Sequence, residues 1–117
     1  MEITYDPKPL TANQLRMISE EVKQALTKLY GDRLDRVVLY GSYARGDFHA
    51  ESDVDFLVVL RDEVVKSGAE IWTMSEKIGD LCLKYGVHVS AFPTSLNKYS
   101  QSQLFLYQNV RREGKPV

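Results

Sequence analysis

Cysteine is nearly missing from this 117-residue chain. Cys82 is the only one, which excludes an internal disulfide and a cysteine-rich zinc site, fits a cytosolic location, and leaves the thiol to pack in a helix. An excess of one charge is missing as well. The chain has 15 Lys and Arg against 16 Asp and Glu, a formal net charge of -1, so it carries no overall basic footprint for a nucleic-acid polymer. No apolar run approaches membrane-spanning length. The opening segment Met1-Glu2-Ile3-Thr4-Tyr5-Asp6-Pro7 does not read as a signal peptide. Internal repeats and low-complexity tracts are absent too. What remains, 44% hydrophobic and 26% charged residues, is the composition of a soluble globular protein. The length suits one domain over residues 1–117 with a modest core.

Against that background, residues 41 to 55 stand out: Gly-Ser-Tyr-Ala-Arg-Gly-Asp-Phe-His-Ala-Glu-Ser-Asp-Val-Asp. Val37, Val38, Leu39 and Tyr40 form a β-prone run that Gly41 breaks. Glycine lets the backbone turn sharply and lets a ligand approach the main chain. Ser42 is suited to cap a short helical turn over Tyr43-Ala44-Arg45, which Gly46 stops. Free N–H groups at such a turn attract an anion. The Ser42 hydroxyl adds a donor, and Arg45 can reach the same phosphates with its fork of donors.

The second half of the stretch suits a cation. Ser52-Asp53-Val54-Asp55 runs into Phe56-Leu57-Val58-Val59-Leu60, the clearest strand in the sequence. In a strand, residues two apart share a face, so Asp53 and Asp55 present their carboxylates side by side with Cα atoms roughly 6.5–7 Å apart. That separation lets both grip one hard cation, or two ions about 3.5–4 Å apart. Neighbouring carboxylates at an apolar strand repel each other, and bound Mg²⁺ removes that penalty. The two flanking strands are expected to run parallel.

Periodicity orders the remaining chain. Thr11-Ala12-Asn13-Gln14 has capping-box spacing, and a helix follows through Leu15, Ile18, Val22, Ala25, Leu26 and Leu29 to about Gly31. Strands are expected over residues 36–40 and 53–60. A long helix then covers about residues 62–85, with Val64, Ile71, Trp72, Ile78, Leu81 and Cys82 as its apolar members and Trp72 in the core. A third strand over residues 87–92 is stopped by Pro93. A final helix capped by Ser95 or Ser100 runs to about Glu113 and ends at Gly114. The fold class is therefore α/β (α+β): a small mixed sheet of three or more strands with helices packed on it. The run Arg111-Arg112-Glu113-Gly114-Lys115 reads as solvation of a helix end, with binding of an acidic partner as the other reading.

The motif residues resemble a known family. Leu39-Tyr40-Gly41-Ser42-Tyr43-Ala44-Arg45-Gly46, then Ser52-Asp53-Val54-Asp55-Phe56-Leu57-Val58, is similar to the signature of the polymerase-beta-like nucleotidyltransferases. Gly-Ser, ten residues, then Asp-x-Asp resembles the minimal nucleotidyltransferases, which include MntA-like antitoxins paired with HEPN-domain ribonuclease toxins. Tyr107-Gln108-Asn109-Val110-Arg111-Arg112-Glu113-Gly114 resembles their closing segment. The resemblance implies that Gly41 and Ser42 hold the β- and γ-phosphates of ATP. It implies Asp53 and Asp55 as catalytic residues and Mg²⁺ ligands, and a tyrosine on a HEPN-type toxin as acceptor of AMP. It also implies a third carboxylate on a later strand. The matching strand reads Gly86-Val87-His88-Val89-Ser90-Ala91-Phe92, with no acid, and His88 or Ser90 falls nearest that place.

Three functions follow as expectations. The first is a cytoplasmic Mg²⁺-dependent transferase moving AMP from ATP to a protein hydroxyl, with Asp55 as candidate base. The second is a transferase-fold antitoxin that neutralises its partner by binding, motivated by the missing acid. The third is transfer to an RNA end, against which the near-neutral charge argues.

Overall fold

The fold was analysed in a computed structural model that describes residues 8–117, so the reading of Met1–Pro7 lies outside the described residues. Helix α1, Ala12–Tyr30, begins with the expected capping box. Thr11 Oγ1 accepts the Gln14 N–H at 3.1 Å, and Gln14 Oε1 accepts the Thr11 N–H at 2.9 Å. Its buried stripe, Ile18, Val22 and Leu26, repeats at four-residue spacing.

After a 3-10 turn, Gly31–Arg33, the chain forms strand β1, Leu34–Tyr40, the short helix α2, Ser42–Arg45, and strand β2, Val54–Leu60. Helix α3, Ser67–Tyr85, leads to β3, Val89–Ser95. Helices α4, Leu96–Gln101, and α5, Phe105–Glu113, then lead to the short strand β4, Lys115–Pro116. The sheet order is β3-β2-β1-β4. Strand β3 is parallel to β2, and β4 is antiparallel to β1. The expected parallel pairing of β1 and β2 is wrong: they are antiparallel, with Tyr40 opposite Asp55 and Val38 opposite Leu57. The four-residue α2 is too short to serve as the crossover that parallel neighbours require, so the chain simply doubles back.

Alternation along the strands sorts the core into two layers. Val37, Leu39, Val54, Phe56, Val58 and Leu60 face α1 and α3. Val38, Leu57 and Val59 meet Tyr107 and Val110 of α5. Strand β2 is buried on both faces, which explains its unbroken apolar run. Each large side chain removed from water here contributes about 1.5–3 kcal/mol.

Four expectations change. The helix expected from residue 62 begins at Ser67, because Asp62 is held by the Arg33 guanidinium at 3.0 Å before the helix starts. Trp72 is not core but 81% exposed; the buried stripe of α3 is Met74, Ile78 and Leu81, and Trp72 lies round the helix from it. Pro93 does not stop β3, because β3 is an edge strand and needs no donor on its outer side. The final helix is two helices. Ser95 caps α4 by accepting the Lys98 N–H at 3.1 Å, and Arg111 of α5 donates to the Tyr99 and Ser102 carbonyls at 2.8 Å across the break. Among the described residues, no helix is long and apolar enough to cross a membrane.

Candidate active site

The turn after β1 is built around Gly41, whose φ of 76° lies in the left-handed region. The Gly41 carbonyl accepts the N–H groups of Ala44 and Arg45, both at 3.1 Å. Gly41 is therefore the cap of α2, in place of the expected Ser42, which enters the first helical turn. The N–H groups of a first turn have no acceptor within their own helix. Gly46, at φ 90°, closes the turn by donating to the Ser42 carbonyl at 2.8 Å. Tyr43 and Ala44 are buried beneath it. The Tyr43 hydroxyl accepts the Leu10 N–H at 3.0 Å, and its ring stacks on Phe48 at 4.4 Å. These contacts fix a turn that would otherwise have few constraints.

Asp55 is a half-buried acid near the start of β2. It faces the α5 side, level with Tyr40 on β1 and Ser90 on β3. Its carboxylate packs directly against Gly41: a Cβ on Gly41 would collide with Asp55 Oδ2. The glycine turn and the acid are thus in contact, which sequence spacing does not reveal. Asp53 precedes β2 and lies 3.3 Å from His88 Nδ1. Between the two acids, Val54 is fully buried on the opposite face. Arg45, expected to reach phosphate, turns toward Asp47 at 3.2 Å and Glu113 at 3.7 Å.

Burial, and next the neighbouring Asp53, push the Asp55 carboxyl above its ordinary range, while His88 and Arg45 oppose the shift. Burial, then the Asp55 charge, push the Tyr40 phenol up to about 12. Both shifts arise where negative charge is crowded and partly dry. The half-buried Asp55 and the exposed Asp53 are hard oxygen donors of the kind a hard cation takes. Among the described residues no group of three or more His, Cys, Asp or Glu is placed to hold a metal ion. No acid lies on β3.

Tyr40, Tyr43 and Glu113 were not singled out from sequence. Tyr40 was within reach of it, since the two-residue period from Val38 puts it on the Asp55 face once the antiparallel pairing is known.

Comparison with known proteins agrees with this architecture. The nucleotidyltransferase domain model matches residues 18–107, and the chain belongs to that family. A putative protein adenylyltransferase of Methanocaldococcus jannaschii is 33% identical over 104 residues, covering 88% of this chain and 96% of the relative. A second protein of the same description and organism is 38% identical over 74 residues, covering 62% of this chain and 72% of its own. A solved putative minimal nucleotidyltransferase superimposes with a TM-score of 0.61 at 26% identity, over 92% of this chain and 97% of that one. A tri-AMPylated Shewanella oneidensis HEPN toxin in complex with its MNT antitoxin gives a TM-score of 0.55 at 19% identity, over 87% and 70% of the chains, a likeness of fold.

Proposed function

We propose that this nucleotidyltransferase moves AMP from ATP to a hydroxyl on a partner protein, with Mg²⁺. One observation carries the reading: the Gly41 turn and the Asp55 carboxylate touch, so a phosphate held by one lies beside a cation held by the other. Gly41 and Ser42 would hold the β- and γ-phosphates, with Arg45 rotating from Asp47 to reach them. Asp53 and Asp55 would hold Mg²⁺, which supplies charge neutralisation at the departing pyrophosphate when bound. The acceptor oxygen attacks the α-phosphorus, the α–β phosphoanhydride bond breaks, and pyrophosphate leaves. Asp55 is the candidate group to take the hydroxyl proton.

The adenylyltransferase names of the M. jannaschii relatives support a protein acceptor. The HEPN toxin seated on a neighbour of the same fold supports a toxin of that type as partner. Incubation with α-labelled ATP, Mg²⁺ and proteins that co-purify with this chain tests the reading. Protein labelling should fall by about 10²-fold or more in Asp53→Asn and Asp55→Asn, the order seen when charge stabilisation is removed. Equal labelling by the variants would overturn it.

The acid-free β3 favours one second reading, a protein that neutralises its partner by binding. Neutralisation that persists in the double Asp variant would favour it.

A further inference from the structure

We propose that the slot between α3 and the outer edge of β3 seats an extended segment of the acceptor protein, with an apolar side chain lodged beside Gly79. The inference rests on the protein-acceptor reading above and names where that acceptor docks.

Strand β3 ends the sheet, and its outer side has no strand partner among the described residues. The Val54 N–H donates to the His88 carbonyl at 2.9 Å. By the parallel pattern, His88, Ser90 and Phe92 turn their backbone groups toward β2, and Val89, Ala91 and Pro93 turn theirs outward. That edge is guarded at two places. Cys82 Sγ accepts the Val89 N–H at 3.2 Å, and Pro93 has no N–H. Ala91 alone offers an open donor and acceptor, one backbone anchor for a passing chain.

Beside this anchor, a slot of about 360 Å³ runs from His88 and Ser90 at the candidate site to Ile71. The slot therefore begins at two residues that neighbour the candidate site, His88 beside Asp53 and Ser90 level with Asp55. No Asp, Glu, Lys or Arg lines it, although 26% of the chain is charged. A nucleic-acid acceptor would find no cation there for its phosphates, whereas a neutral polypeptide finds an apolar wall. Glycine weakens a helix interior relative to alanine, yet α3 carries Gly79 on the slot. A Cβ there would meet nothing within 4 Å, so the space it leaves is open. Ile71, 46% exposed, lines the far end with Trp72 next to it.

Alternation sets the pattern a docked segment must have. A residue level with Ser90 points to the Asp55 side, and one level with Ala91 points toward α3. The acceptor hydroxyl and the apolar anchor are thus adjacent in sequence.

The test uses tryptophan-free short peptides with a central tyrosine flanked by leucine or by aspartate. Emission of Trp72, the only tryptophan, reports binding, and α-labelled ATP with Mg²⁺ reports transfer. The leucine-flanked peptides should bind and be labelled in preference. Gly79→Leu, which fills the slot with its own side chain, should weaken both by about tenfold or more, the order one buried aliphatic side chain supplies, while ATP affinity stays unchanged. Leu83→Ser, at an exposed α3 position outside the slot, should change neither readout. No preference for leucine flanks, or unchanged peptide binding in Gly79→Leu, would overturn the docking site. Slot-dependent peptide binding with no labelling by the unaltered protein would uphold the docking site and count against the transferase reading.

Discussion

Gly41 is the residue on which the site turns. Two independent constraints act on it: its φ of 76° strains any side chain, and Asp55 occupies the space a Cβ would need. Gly41→Ala should cost about 1–3 kcal/mol of stability and displace Asp55, so denaturant midpoint and adenylylation should fall together. Asp55 makes the opposite trade. Its folded-state pKa is raised by burial and by Asp53, so the ionised form is the disfavoured one in the metal-free fold. The stability it contributes is full below the unfolded carboxylate pKa and is lost as pH rises through the folded value. Metal-free Asp55→Asn should therefore melt slightly above the unaltered protein at neutral pH, by under about 1 kcal/mol at this screened site. The gap should narrow as pH falls through the carboxylate range. A lower melting temperature for Asp55→Asn at neutral pH would contradict the assignment. The carboxylates and the glycine turn were legible in sequence because period and residue type suffice for both. Their contact was not, since it depends on the antiparallel return of β2 beside β1.

Among the elements, those with strong local signals were read well. The α1 capping box and the buried β2 run appear where periodicity and side-chain chemistry put them, while Ser95, one of two expected caps, starts α4 and not one helix to Glu113. Trp72 failed because hydrophobicity alone does not say which side of a helix meets the sheet. Strand β4 went unseen because two residues carry no period. Its docking depends on Gly114, whose φ of -66° any residue could adopt. What demands glycine is space, for a Cβ would meet the Val110 carbonyl oxygen and Val38 Cγ1, both at 2.5 Å. Gly114→Ala should push β4 off β1 at a cost of about 1–3 kcal/mol, the range for overpacking a filled site. Faster hydrogen exchange at the Val117 N–H, which donates to the Val37 carbonyl at 3.0 Å, is the local readout. Unchanged protection there would show that the strand tolerates the methyl group.

On the scale of the whole molecule, the sheet gathers the candidate site residues at one end. Tyr40 closes β1, Asp53 and Asp55 flank Val54 at the start of β2, and His88 and Ser90 lie where β3 begins. The chain belongs to the nucleotidyltransferase family, and in the proposed reading it contributes the nucleotide site while a partner supplies the acceptor. The central claim is that the Gly41–Ser42 turn and the two aspartates share one Mg²⁺–nucleotide. Calorimetric titration with a non-hydrolysable ATP analogue, with Mg²⁺ and again with chelator, addresses it most directly. One molecule of analogue should bind per chain with Mg²⁺, and affinity should fall by about tenfold or more with chelator, in Asp53→Asn and in Gly41→Ala alike. Binding of equal strength with chelator, or undiminished in both variants, would contradict the account.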